Sequence, residues 1–132
     1  AELETGDESH ILLIDDVPAA RKVIKALLRK LGYTNVSESG SGADAYTKLI
    51  ATDSTFDLII CDFNLRDMTA LDLFDKLANN SNYMRTPVIF ITADGTREED
   101  LKELASSSSS ILLKPFVRLE LGEKVANLLG KG

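Results

Sequence analysis

The feature that most constrains this chain is a short apolar run that stops at an acid. Ile11-Leu12-Leu13-Ile14 contains no polar residue and is followed at once by Asp15-Asp16. A near-continuous apolar run of this kind reads as a strand covered on both faces. The pattern recurs: Asp57–Cys61 runs into Asp62, Pro87–Ile91 into Thr92, and Ile111–Leu113 into Lys114. A weaker strand is expected near Thr34–Glu38.

Helical periodicity fills the intervals. Ile24, Leu27, Leu28 and Leu31 recur at i, i+3, i+4 and i+7, with Pro18 suited to the first turn and Gly32 to the end. Further helices are expected through Ala43, Tyr46, Leu49 and Ile50, through Ala70, Phe74, Leu77 and Ala78, near Arg97–Ala105, and through Leu121, Val125 and Leu128. Five apolar strands alternating with five helices predict an α/β fold whose parallel sheet is covered on both faces. The right-handed crossover rule makes a doubly wound sheet the simplest topology. Ser106–Ser110 reads as a connection, and His10 as a polar strand entry.

At 132 residues the chain fits one domain, expected over residues 10–130 after a tail at 1–9. No apolar run approaches the roughly 20 residues that span a bilayer, and no signal-peptide pattern opens the chain. A single cysteine, Cys61, leaves no internal disulfide and no cysteine-rich metal site, and it reads as a small buried residue. A cytoplasmic location is expected. The formal net charge of −6 argues against direct nucleic-acid binding, which phosphate contacts dominate. Arg21, Lys22, Lys25, Arg29 and Lys30 read first as the solvated face of a helix and second as a docking face.

The polar residues that follow the strands carry the chemistry. In an open parallel sheet, ligands bind beyond the carboxyl ends of the strands. Asp15, Asp16, Asp62, Thr92 and Lys114 are therefore expected in one crevice. Taken singly, Asp16 reads as a cap or turn residue, Thr92 as a strand-end hydroxyl and Lys114 as a surface lysine. The joint arrangement is what carries function. Three carboxylates in one crevice repel by on the order of 4 kcal/mol per close pair at an effective dielectric near 20. Such a group calls for a hard divalent cation, Mg²⁺ or Mn²⁺. The cation and Lys114 would balance the three acids, and the neutralised site could accept a phosphoryl group. Asp62 would be the nucleophile, Lys114 would hold phosphoryl oxygens, and Thr92 would donate a hydrogen bond. In the metal-free chain, Asp62→Asn is expected to relieve repulsion and stabilise the fold.

Four segments together resemble the receiver domain of two-component response regulators, of the chemotaxis-regulator type. They are Ile-Leu-Leu-Ile-Asp-Asp at 11–16, Asp-Leu-Ile-Ile-Cys-Asp-Phe-Asn-Leu at 57–65, Pro-Val-Ile-Phe-Ile-Thr-Ala at 87–93 and Leu-Leu-Lys-Pro-Phe at 112–116. The resemblance implies a flavodoxin-like three-layer sandwich with strand order 2-1-3-4-5. It implies Mg²⁺ held by Asp15, Asp16, Asp62 and the backbone carbonyl of Asn64. It further implies that Asp62 takes its phosphoryl group from a histidine kinase or a histidine phosphotransfer protein. The domain would then be a signalling switch that acts only on its own phosphorylation and dephosphorylation, not an enzyme with a separate substrate. Asn64 and Asp94 would tune the lifetime of the phosphoryl group.

The chain also departs from the family pattern. Ile111 stands where many members carry Tyr or Phe, Arg66 replaces a common Pro, Ala70 a common Gly, and Ser107 a frequent Gly. With no ring to rotate at 111, coupling is expected to run from Thr92 into the segment Asp94–Ala105. A haloacid-dehalogenase-type hydrolase fits poorly, because its nucleophile precedes the acid pair and a second Asp follows two residues later, where this chain has Asn64. Gly40-Ser41-Gly42 lacks the Gly-Lys-Ser/Thr ending of a phosphate-binding loop. A phosphorylation-independent interaction module is the remaining alternative, distinguished by whether Mg²⁺ promotes capture of a phosphoryl mimic.

Overall fold

The structure, a computed structural model, describes residues 8–51, 55–78, 86–93 and 109–130. Five strands form one parallel sheet: β1 (Ile11–Ile14), β2 (Val36–Ser39), β3 (Leu58–Asp62), β4 (Val88–Thr92) and β5 (Ser109–Leu113). Their order is β2-β1-β3-β4-β5, as expected. Four helices are described: α1 (Pro18–Lys30), α2 (Gly42–Ile50), α3 (Ala70–Leu77) and α4 (Arg118–Leu128). The helix expected near Arg97–Ala105 lies outside the described residues.

Alternation along the strands divides the core in two. Leu12, Ile14, Ile59, Cys61 and Phe90 pack with Ala45 and Leu49 of α2 and with Leu73 and Leu77 of α3. Ile11, Leu13, Leu58, Ile60, Ile89 and Ile91 pack with Ile24 and Leu28 of α1 and with Leu121 and Val125 of α4. The result is a doubly wound, flavodoxin-like sandwich of three layers. Residues 11–14 and 58–61 are completely buried, which explains why they read as unbroken apolar runs. Each such aliphatic side chain contributes roughly 1.5–3 kcal/mol on burial.

Helix ends follow local chemistry. Pro18 occupies the first turn of α1, where its missing N–H costs nothing. The helix stops at Gly32, whose φ of 98° lets Tyr33 N donate to Leu28 O at 2.9 Å. Thr69 caps α3 through a reciprocal pair, its side chain accepting from Asp72 N and Asp72 accepting from Thr69 N.

Two expectations need correction. Ser109 and Ser110 are not connection but the first residues of β5, paired with Val88 and Ile89. An edge strand is recruited through backbone groups on one side only, so serine-rich composition does not prevent it. His10 is more than a strand entry. Its backbone N donates to Asp57 Oδ2 at 2.8 Å and its carbonyl accepts from Asp57 N at 2.8 Å. Its ring lies 2.8 Å from Ser37 Oγ and 2.9 Å from Thr55 O, and stacks at 4.4 Å on Phe56. A carbonyl only accepts, so Nδ1 carries the proton.

Close packing joins α2 to the loop that follows β3. A Cβ added at Gly42 would lie 2.5 Å from Met68 Sδ and 2.9 Å from Met68 Cε. Gly42→Ala should therefore destabilise by about 1–2 kcal/mol in chemical denaturation, although alanine is the better helix former. Adding Met68→Ala should recover most of that loss relative to Met68→Ala alone. Simple additivity of the two substitutions would show that this contact does not limit the packing.

Candidate functional site

Four of the five strands deliver a polar residue to the same edge of the sheet. Asp15 and Asp16 follow β1, Asp62 ends β3, Thr92 ends β4 and Lys114 follows β5. Carboxylate oxygens of Asp15, Asp16 and Asp62 all lie within 4.8 Å of one another. Lys114 Nζ is 2.8 Å from Asp62 Oδ1, and Lys114 N donates to Thr92 O at 2.8 Å. Asp15, Asp62 and Thr92 are buried. The three acids and Lys114 thus come together, with Thr92 joined to Lys114 through its backbone carbonyl.

Their hydrogen bonding is incomplete in an informative way. Asp15 Oδ1 accepts from Val17 N at 2.9 Å, but buried Oδ2 has no hydrogen-bond partner among the described residues. Thr92 Oγ1 is likewise buried without one. An unmatched buried polar atom costs roughly 1–3 kcal/mol, so each points to a ligand. Burial pushes the Asp15 carboxyl above its usual range, and the charges of Asp62 and Asp16 add to that, against the Val17 N–H and Lys114. Three oxygen-donor acids, one with a buried orphan oxygen, against one ammonium among the described residues, that of Lys114, fit a hard divalent cation. Cys61 plays no part: burial, reinforced by Asp62 and Asp15, pushes its thiol far up and keeps it protonated.

Asn64 lies at the head of the turn that follows β3, and its side chain is exposed. Its backbone forms an antiparallel bridge to Thr69. Within this turn Leu65 N donates to Met68 O at 3.0 Å and Ala70 N to Phe63 O at 2.8 Å. Asp94 lies outside the described residues, as does Ser107. Ile111 is half-buried against the core layer of α2 and α3, as expected for an apolar residue there.

Other contacts around the site were missed from the sequence. The exposed Arg66 guanidinium stands 3.9 Å from Asp16 Oδ2, at the mouth of the acidic group. Arg66 was visible as a departure from the family pattern, but its partner was not. Arg21 donates to the Asp15 carbonyl at 2.6 Å and pairs with Glu38 at 3.0 Å. Lys25 also reaches Glu38 at 3.0 Å, so two members of the basic helix face are engaged within the fold. Lys25 and then Arg21 hold the Glu38 carboxyl below its usual range.

Comparison with known proteins agrees with this geometry. The family model of the response regulator receiver domain matches residues 11–126. The chain is 35% identical over 120 residues to chemotaxis protein CheY1 of Helicobacter pylori, covering 91% of this chain and 96% of that protein. It is 31% identical over 118 residues to chemotaxis protein CheY of Pseudomonas aeruginosa, covering 89% and 94%. Among solved structures, the receiver domain of sensor histidine kinase PA1611 from Pseudomonas aeruginosa superposes with a TM-score of 0.80 at 29% identity, over 94% of this chain and 99% of that one. That structure carries a magnesium ion coordinated in its active-site cleft. Chemotaxis response regulator CheY4 of Vibrio cholerae gives a TM-score of 0.79 at 26% identity, over 92% and 99%. By sequence and by fold, this chain belongs to the response regulator receiver domains of two-component systems.

Proposed function

We propose that the domain is a phosphoryl-accepting switch in which the Asp62 carboxylate is the acceptor. The observation that carries this reading is the position of Asp62, between two further carboxylates and 2.8 Å from Lys114 Nζ. Asp15, Asp16 and Asp62 would hold Mg²⁺ or Mn²⁺, with the Asn64 carbonyl as a further ligand. When bound, the cation supplies fixed positive charge for the phosphoryl oxygens.

An Asp62 oxygen attacks the phosphorus of a phosphohistidine on a kinase or phosphotransfer protein. An O–P bond forms as the N–P bond breaks, and the imidazole nitrogen leaves with the electron pair and takes up a proton. Asp62 becomes an acyl phosphate, a mixed anhydride whose carboxyl oxygens no longer carry charge, so the attraction of those oxygens for Lys114 weakens. The ammonium is then free to hold a phosphoryl oxygen. Thr92 Oγ1, buried and without an acceptor among the described residues, has a hydroxyl to donate. The chain is itself the acceptor, so it acts as a switch and turns over no separate substrate. Its downstream partner reads the difference between the two states. No described helix is long and apolar enough to cross a membrane.

Acetyl phosphate with Mg²⁺ should add one phosphoryl group to the wild type and none to Asp62→Asn, read by intact mass. Equal labelling of both proteins would remove Asp62 from the role. No labelling of the wild type would favour a phosphorylation-independent interaction module.

Stability without metal tests the electrostatics. Asp62→Asn relieves repulsion but gives up the ion pair with Lys114, so its gain is partly cancelled. Asp15→Asn keeps an acceptor for Val17 N and removes a buried charge that has no such partner. In EDTA, Asp15→Asn should be more stable than wild type by about 1–2 kcal/mol and should exceed Asp62→Asn. Mg²⁺ at a hundredfold excess over its Kd should stabilise the wild type by about 2.7 kcal/mol, and both variants less. A metal-free Asp15→Asn that melts below wild type would mean that the acids do not repel.

A further inference from the structure

The loop between β3 and α3 is tied to a helix that the sequence places well before it. Asp67 Oδ1 accepts from Gly42 N and Asp67 Oδ2 from Ala43 N, both at 2.9 Å. These are first-turn N–H groups of α2, which the helix itself leaves unmatched. The helix already has its own cap, because Ser41 Oγ accepts from Asp44 N at 3.0 Å. Asp67 is therefore not needed to start the helix. It joins two segments 25 residues apart along the chain. The two N–H groups hold the Asp67 carboxyl below its usual range.

Neighbouring contacts make the joint stiff. Met68 packs so closely on Gly42 that no side chain fits there without displacement. The turn behind Asp67 is closed by the Leu65 N to Met68 O bond, the Asn64–Thr69 bridge and the Ala70 N to Phe63 O bond. One end of this loop leaves Asp62 and the other enters α3. Its middle is gripped by α2. Further along, Lys76 of α3 lies 5.3 Å over the ring of Tyr46 of α2, so the two helices are joined there as well.

We propose that Asp67 is a positioning residue that couples the acidic site to α2. The inference rests on the reading of Asp15, Asp16, Asp62 and the Asn64 carbonyl as a cation site. A cation taken by these groups draws on the loop that starts at Asp62. Asp67 carries the displacement to the amino end of α2 as a change in two backbone hydrogen bonds. Coupling of this kind needs a physical linkage that both ends can bias, and the carboxylate supplies it. Gripping the loop also presets Asn64, so the clamp favours cation capture.

The test uses amide NMR with Mg²⁺ alone as the titrant. In wild type, the Gly42 and Ala43 amide resonances should shift with the same midpoint as those around Asp62. In Asp67→Ala that response should vanish, and the Mg²⁺ dissociation constant should rise on the order of tenfold, as when a supporting partner of a metal site is removed. Asp67→Asn, which keeps one acceptor oxygen, should fall between. Ser41→Ala is the matched control. It weakens the same helix end without cutting the joint, so it should keep both the response and the affinity. Equal loss in Ser41→Ala and Asp67→Ala would reduce Asp67 to a helix cap. Silent Gly42 and Ala43 signals while residues near Asp62 titrate would overturn the coupling and leave the cation site standing. No Mg²⁺ response anywhere would overturn both.

Discussion

Parallel pairing sends every strand out of the sheet at the same edge, and everything in the site depends on which residue each strand presents there. The register sets this: Ile14 lies opposite Cys61, Asp62 opposite Ile91, and Thr92 opposite Leu113. In a half-solvated strand, alternation pins the register, because a one-residue slip would turn the apolar face to water. Here both faces are apolar, so alternation gives little protection. Polar residues at the two ends do the pinning instead. At the amino ends, His10 and Asp57 exchange backbone and side-chain bonds. At the carboxyl ends, Asp15 and Asp62 would each be drawn into the core, or the apolar run pushed into water, by a slip. The same acids that define the site also keep the strands aligned.

That double duty explains the electrostatic state of the site. Ion-pairing Asp62 with Lys114 lowers the cost of one buried charge, yet Asp15 keeps an unmatched buried oxygen and a raised pKa. A fold selected for stability alone would have neutral residues at these positions. Arg66 and Arg21 offer only partial relief. Arg66 is exposed and distant enough from Asp16 for water to screen it, and Arg21 is engaged with the Asp15 carbonyl and Glu38. The site is thus left short of positive charge in a way that a divalent cation can satisfy.

Much of this was legible in the sequence, for identifiable reasons. Four strands could be read because doubly covered strands are apolar runs, and the strand-end candidates because they follow such runs, whereas the strand order was what the resemblance to receiver domains implied. Local backbone chemistry was also legible at Pro18 and Gly32. What could not be read depends on contacts with no local signature. Ser109 and Ser110 become strand because β4 offers its edge, and the serine run hides that. Asp67 grips the amide groups of a helix remote in sequence, and no pattern marks one aspartate among many for that purpose. His10 looked like an isolated polar residue because its partners Ser37, Thr55 and Asp57 come from two other segments.

Among the described residues, two departures from the family pattern, Ile111 and Ala70, fall in the same core layer. Ile111 packs into the core layer shared with α2 and α3, together with Cys61, Phe90 and Met68. Arg66, Asp67 and Met68 belong to the loop that reaches that same layer from Asp62. A β-branched aliphatic at 111 has no ring to turn between core and solvent, and its stiff side chain favours a fixed seat. Ile111 therefore fastens β5 to the α2–α3 layer instead of offering it a second position. The loop from Asp62 to α3 joins the acidic site to α2 through Asp67, as the end of β2 does through the bond from Asp15 N to Ser39 O. Ile111 and the loop from Asp62 to α3 thus meet the same core layer, the strand through a side chain with no ring to turn and the loop through Met68, while Asp67 ties that loop to the first turn of α2.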